Sequence, residues 1–325
     1  MKNLKTKMVL TSAAAILTVF ACKKDTQTFD QTISSGGNGS STELSSFFQT
    51  NKQNLIQNFS INSVAPTLIT GNSGTSLQFY PNSFETQSGA SVSGMVDIEL
   101  IEIFDKSDMI LADVLTLGRS SSGQIDPLIS GGEFYVNATQ NGSALKLKTG
   151  VSYAVNVPAP NGVNPNMGIF YGDESNDTLI WDEADSARIQ GNGQTTGGGG
   201  SYYCFFDSLQ WINCDYFYND PNPKTNVRAI IPAGLSNLTC KVFISFNGLN
   251  SVTGFYGFSG GYLNTYSPYK IPVTQGINLI AIASIGGVPH YSITPATVTN
   301  NIIVTINPLA PSSAAAIKTA INALP

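Results

Sequence analysis

The sequence predicts a mostly β protein: two antiparallel β-sandwich domains, immunoglobulin-like or jelly-roll-like, with a short N-terminal and a short C-terminal helix. Three observations predict it. Beyond residue 62, apolar residues recur at alternate positions in short runs, the period that gives a strand one buried face. Gly, Asn and Pro interrupt those runs every few residues, as turns between antiparallel strands require. Charged residues make up only 11% of the chain, against 31 glycines and many Ser, Thr, Asn and Tyr, a mixture that suits an extracellular β-protein. No helix-length periodicity separates the runs, which argues against a doubly wound α/β fold.

Residues 1–21 read as a leader rather than as structure. Lys2, Lys5 and Lys7 precede an uncharged stretch, 8–21, that is too short to span a bilayer as a helix, which needs about 20 apolar residues. Its end, Val19-Phe20-Ala21-Cys22, resembles the lipobox of bacterial lipoprotein signal peptides. The resemblance implies cleavage before Cys22, a thioether from its sulfur to diacylglycerol, and acylation of the freed amine. Several acyl chains hold a membrane firmly where one does not. The alternative is an ordinary secretory leader in which Cys22 is incidental. Residues 22–41, rich in Thr, Ser, Gln and Gly, bury too little apolar surface to order themselves and read as a flexible tether.

The first domain is expected over 42–188. It opens with a helix over 42–61, capped by Ser41 or Thr42, with Leu44, Phe47, Phe48, Leu55 and Phe59 at roughly helical spacing. In 91–104, Val92, Val96, Ile98 and Leu100 share one face, and the phase then slips to Ile101 and Ile103, the pattern of a β-bulge. Strands follow at 133–139, with Phe134, Val136 and Ala138 together, then at Leu145 and Leu147, and at Tyr153, Val155 and Val157. Residues 189–201, ending in four glycines and Ser201, form a linker to a second domain over 202–325. Its strands are expected near 226–232, 239–247, 269–274, 278–286 and 300–307, with an Ala-rich terminal helix over 312–324.

In the first domain, Phe79-Tyr80-Pro81-Asn82-Ser83-Phe84, the alternation from Gly89 to Leu100, Ser107-Asp108-Met109-Ile110-Leu111 and Gly131-Gly132-Glu133-Phe134-Tyr135-Val136 together resemble the β-sandwich module of ankyrins and netrin receptors, in the form found in Bacteroidota lipoproteins. The run from Leu209 to Phe217 is similar to a segment of the same lipoproteins, as is the opening Cys22-Lys23-Lys24-Asp25. The resemblance implies a fold and a lipid-anchored place at the outer membrane, facing the cell exterior if the charged tag acts as an export signal. It implies no reaction, because a fold does not fix a function.

The chemistry available narrows the function. Acidic residues outnumber basic ones, 21 to 16, and three of the lysines lie in the leader, so the basic face that nucleic-acid binding needs is missing. Zinc is disfavoured because His290 is the only histidine and no paired cysteine spacing occurs. No cofactor motif is present. Gly257-Phe258-Ser259-Gly260-Gly261 fits the nucleophile-elbow pattern of serine hydrolases, but no acid follows Ser259 and its surroundings read as a glycine-rich hairpin. Asp173, Glu174, Asp177, Asp182, Glu183 and Asp185 surround one strand; they suit calcium or plain solvated turns equally, without an EF-hand spacing. Cys204 and Cys214 would close a short disulfide loop, leaving Cys240 in the core beside Val242, Ile244 and Phe246. The aromatic-rich stretch around Tyr202, Trp211, Asp215 and Tyr216 would stack on a glycan or dock a protein if its rings are exposed, and would fill the core if they are not. Asp177-Thr178, Asp185-Ser186 and Asp207-Ser208, each before an aliphatic residue, match the O-glycosylation sites of exported Bacteroidota proteins, giving Thr178, Ser186 and Ser208 as candidates. The expectation is a non-enzymatic surface lipoprotein that binds or displays, with glycan capture for polysaccharide uptake as the alternative and serine hydrolysis third.

Overall fold

The periodic apolar residues of 42–61 belong to two elements. In the computed structural model, which describes residues 39–160, 162–174, 179–184, 189–193, 199–265 and 269–325, helix α1 (Ser41–Gln53) starts one residue earlier than expected. Its N-cap is Ser40, whose Oγ accepts from the Glu43 N–H at 3.2 Å. It ends at Asn54, and Gln57–Asn62 runs on as an extended strand paired with residues 95–100, so Phe59 sits on a sheet. Pairing with a partner strand outweighs the weak helical spacing of Leu55 and Phe59. Cys22, the leader and nearly all of the tether lie outside the described residues, as do Thr178 and Ser186.

The strands run β1 (Gln57–Asn62), β2 (Thr67–Thr70), β3 (Ser76–Phe79), β4 (Phe84–Thr86) and β5 (Met95–Ile103), then helix α2 (Lys106–Ala112). Next come β6 (Leu117–Arg119), β7 (Ile125–Gln140), β8 (Ser143–Leu147), β9 (Tyr153–Pro158), β10 (Gly168–Asp173) and β11 (Ile180–Glu183). They continue as β12 (Ile189–Gly193), β13 (Gly200–Phe206), β14 (Trp211–Phe217), β15 (Lys224–Thr225) and β16 (Arg228–Ile230). The remainder is β17 (Cys240–Phe246), β18 (Val252–Gly254), β19 (Gly257–Ser259), β20 (Tyr262–Asn264), β21 (Ile271–Pro272) and β22 (Gly276–Ile285). The chain ends with β23 (Val288–Thr297), β24 (Ile303–Thr305), β25 (Ala310–Pro311) and helix α3 (Ala314–Asn322). The class is mostly β, with several sheets.

A central sheet has the order β1-β5-β7-β14-β10-β11-β6, with β8 and β4 added at the far end of β7. Strand β6 also pairs with the start of β7, so β7, β14, β10, β11 and β6 close into a ring. One face of the central sheet shares a core with an outer sheet, β12-β13-β9-β3-β2, built on Leu77, Phe79, Ile98, Phe134, Val155 and Phe206 among others. The opposite face meets the three helices and a lower sheet, β18-β17-β22-β23-β25, through Phe48, Ile103, Ile110, Trp181, Trp211, Phe243 and Ile321. A third core lies under the lower sheet's other face, against β19-β20-β16-β24 and the β15–β21 pair.

This layering corrects two expectations. The stretch 189–201 does not divide the chain: β12 and β13 lie at its two ends and pair with each other, and β13 pairs with β9. With β14 in the central sheet, residues 200–217 join the sheets built by the preceding strands instead of opening a second domain, and the described residues, from 39 on, fall in one compact unit. The β5 phase slip is no bulge either, since its register with β7 runs unbroken from Asp97 to Ile103. Ile98 and Leu100 enter the outer-sheet core, while Ile101 and Ile103 enter the helical one. A strand buried on both faces loses its alternation. Cys240 does lie in the core with Val242, Ile244 and Phe246, and the terminal helix and the 239–247 and 278–286 strands appear close to their expected places.

Phe243 is fully buried, edge-on to Phe48 at 5.6 Å between ring centroids, and ties the lower sheet to α1. Phe243→Ala is expected to cost about 3–5 kcal/mol, measured as a lowered urea midpoint, and to loosen α1 from the lower sheet in hydrogen exchange.

Candidate functional site

Alternation along β13 sorts its aromatics. Tyr202, Cys204 and Phe206 point into the sandwich, and Tyr203 and Phe205 point out, 38% and 39% exposed. Strand β14 is buried from Trp211 through Asp215 because both its faces are covered. Trp211 is therefore not available to stack on a sugar: it lies in the helical core, 2% exposed, donating its Nε1–H to Glu174 Oε1 at 3.0 Å, with the Lys52 ammonium 4.8 Å from its ring centroid. Asp215, also fully buried, is not part of any exposed surface.

Tyr202 and Tyr216, by contrast, meet at one place. Both line a cleft of about 980 Å³ between loop 159–167, the middle of β7 and the end of α3. The Asn164 N–H donates to the Tyr202 phenol oxygen at 2.6 Å, and the Asn164 side chain adjoins the Tyr216 phenol. Burial pushes the pKa of both phenols up, so they stay neutral hydrogen-bonding groups. Opposite them lie Phe104, Lys106, Asn250 and Leu324. The cleft exists because β5 stops at Ile103 while β7 continues. Asn250 fills part of the gap, its Nδ2 donating to the Phe104 and Ser130 carbonyls at 3.0 and 2.9 Å. Here β7 passes through Gly131 and Gly132; the latter has φ +141°, and a Cβ on it would strike the Phe104 ring. Apolar walls with a few fixed amides and hydroxyls, at this volume, suit a small polar ligand.

Beside the cleft, whose wall includes Ser130 and Gly131, lies a second feature that sequence reasoning missed. Glu133 stands directly opposite Asn213 on the neighbouring strand, and the β7–β14 register shifts between Asn213 and Asp215. Asn213 Nδ2 donates to Asp215 Oδ2 at 2.6 Å. Ser130 faces Asp215 in the register, and Gly131 lies beside its carboxylate. Glu133, Asn213 and Asp215 are all fully buried. Both Glu133 carboxylate oxygens, Asn213 Oδ1 and Asp215 Oδ1 have no hydrogen-bond partner. Burial pushes both carboxyls well up, and the Asp215 charge adds to the effect on Glu133. A carboxyl raised in this way favours folding while protonated and opposes it once ionised, so its cost grows as pH climbs above the ordinary carboxylate range.

Elsewhere the expected chemistry disperses. Arg119 pairs with Asp182 at 2.9 Å and Asp173 at 3.4 Å, the Ser121 N–H donates to Glu183, and Glu174 serves Trp211 and Lys52. Asp177 and Asp185 lie outside the described residues. Among the described residues no three His, Cys, Asp or Glu side chains converge as a metal site. Ser259 ends the first strand of a hairpin turned by Gly260 and Gly261, at φ +59° and +84°. Its hydroxyl partner is Asn264, while His290 Nδ1 faces the Val288 carbonyl. Ser208, half-buried between β13 and β14, accepts from Gln210 Nε2 on its Oγ and from the Tyr153 phenol on its carbonyl.

Cys204 and Cys214 do come together, from the two facing sheets, and are buried with free thiols. No protein-family model matches the chain, and a search of curated proteins finds no match.

Parity counted from the inward Cys204 would have picked out Tyr203 and Phe205 as the outward rings. Glu133 carried a weaker signal, an acid set between Gly132 and the apolar alternation of Phe134 and Val136. The hydrogen bond to Cys204 and burial raise the Cys214 thiol well up, and burial takes Cys240 to about 12. Because the thiolate is the reactive form, iodoacetamide at pH 8 is expected to leave Cys204, Cys214 and Cys240 unlabelled in the folded protein. In denaturant without reductant all three should be labelled, as read by peptide mass spectrometry.

Proposed function

We propose that this protein is a non-enzymatic lipoprotein, anchored in the outer membrane through Cys22 and facing the cell exterior, that holds a neutral polar ligand in the cleft beside Tyr202 and Tyr216. Binding, adhesion or an accessory role in the envelope is the leading reading, and capture of glycan for polysaccharide uptake is the more specific alternative. The observation that carries it is the wall formed by Tyr202, Asn164 and Tyr216. There, two neutral phenols gather about one asparagine, whose N–H fixes the Tyr202 oxygen, next to apolar surface. Preorganised groups of this kind bind without a large ordering cost. The likeness of 79–136 to the ankyrin and netrin-receptor sandwich belongs to this reading. So does a description as two sandwiches, which would follow the layers of the fold instead of the order of the chain.

A second surface has its own observation. On the outer sheet's solvent face, Tyr203 and Phe205 stand edge-to-face at 5.1 Å, Tyr80 hydrogen-bonds Tyr203, and Asn156 sits beside Tyr203 in register. Rings flanked by amides can stack on sugar faces.

A glycan array separates the two. Tyr216→Ala is expected to weaken the bound glycan about tenfold, roughly 1.4 kcal/mol, with an unchanged melting temperature, while the Tyr203→Ala/Phe205→Ala double variant binds normally. The reverse pattern would move the site to the outer sheet, and a blank array would remove the glycan reading. Palmitate incorporation lost in Cys22→Ala tests the anchor, protease shaving of whole cells tests the side, and labelling of Ser259 by a fluorophosphonate probe would overturn the non-enzymatic reading.

A further inference from the structure

We infer that Glu133, Asn213 and Asp215 form a binding site for a hard divalent cation of the calcium type, set in the central sheet beside the cleft. The inference is independent of what the cleft binds. It rests first on the donors: both Glu133 oxygens, Asn213 Oδ1 and Asp215 Oδ1 are buried without partners. Buried polar groups are ordinarily satisfied, and an ionised one left alone is among the costliest features a core can hold.

Placement is the second support. Glu133 and Asn213 are directly opposed on adjacent strands, which brings their Cβ atoms to within about 5.5 Å. Asp215 joins them through its 2.6 Å hydrogen bond to Asn213. That bond uses the amide's only donor group and fixes the Asn213 oxygen on the other side, free to act as a ligand. Ser130, opposite Asp215 in the strand register, and Gly131 adjoin its carboxylate, where outer-shell groups of a metal ligand would sit.

Charge is the third. Among the described residues no ion pair reaches Glu133 or Asp215, although seven other acid–base contacts are made. Two carboxylates facing an amide with no lysine, arginine or histidine between them leave a place for positive charge from outside the chain. An all-oxygen set favours calcium or magnesium over zinc or copper. Calcium takes six to eight oxygens at about 2.3–2.6 Å and tolerates irregular geometry. Three side chains supply four of these oxygens, and water entering from the cleft past Ser130 and Gly131 can complete the shell.

The test uses the full-length protein stripped with a chelator and dialysed. Added Ca²⁺ at millimolar concentration is expected to raise the melting temperature by several degrees. Terbium excited through the protein's aromatics, Trp211 being two residues from Asn213, should titrate to one ion per chain. Glu133→Gln should abolish both responses while itself melting higher than the stripped wild type, because it removes a buried ionisable carboxyl that has no hydrogen-bond partners. Asp182→Asn, at the partly exposed end of β11, should leave both intact. No melting shift and no stoichiometric terbium signal in the wild type would overturn the inference. So would loss of binding in Asp182→Asn with Glu133→Gln unaffected, which would place the ion at the surface acids.

Discussion

The fold depends on one constraint: the central sheet is covered on both faces. Strand β7 shows what this demands. Over 16 residues it pairs in turn with β6, β14, β5 and β8, and its side chains alternate between two separate cores. Phe134, Val136 and Ala138 face the outer sheet; Leu128 and, partly, Tyr135 face the helices and the lower sheet. A sheet buried on both sides cannot be stable as half of an isolated sandwich, because its second apolar face would stand in water at about 25 cal/mol per Å² exposed. The helices and the lower sheet are thus part of the same cooperative unit as the outer sheet, whatever the glycine content of the segment between β12 and β13.

That constraint also explains why polar groups in the central sheet are few and consequential. Glu102, near the end of β5, is almost fully buried yet satisfied: it accepts the Ser73 and Thr75 N–H groups at 2.9 Å and a bond from Gln57, capping the turn between β2 and β3. Glu133, on the adjoining β7 and on the opposite face, has no such donors. Two glutamates on adjacent strands, comparably buried, therefore do different things. One is consumed by backbone geometry and stabilises a loop, and the other is left with ligand capacity.

Local pattern in the sequence was enough wherever one face alone is buried. The hairpin at Gly260-Gly261 and the outward Tyr203 and Phe205 follow period two. Where both faces are buried the period vanishes, so β5 read as a bulge, and no local pattern decided whether the rings of β14 are exposed or in the core. The same limit hid the true extent of β7: the strand expected over 133–139 begins at Ile125 and runs through Gly131-Gly132. Half of the candidate site was legible, since Tyr202 and Tyr216 do meet, and half was not. Trp211 went to the core, and Glu133 gains its meaning only from Asn213 and Asp215, some 80 residues away and brought opposite by strand pairing that no local signal encodes.

The cleft and the acid cluster share a structural cause, which bears on how they would act together. Both arise where β5 has ended and β7 runs on with β14 on one side and the Asn250 side chain on the other. A regular sheet would have closed this gap with a ladder. Instead, glycines at 131 and 132 let Phe104 and Met167 approach the backbone, and the register shift after Asn213 lets two alternate residues hydrogen-bond each other. An ion held by Glu133 and Asp215 would pin β7 to β14 at the point where the ladder is interrupted. Because Ser130 and Gly131 both line the cleft and adjoin Asp215, the cleft wall would stiffen with them. Cation occupancy and ligand affinity would then be coupled through a few shared backbone groups, and by linkage each would strengthen the other by the same factor.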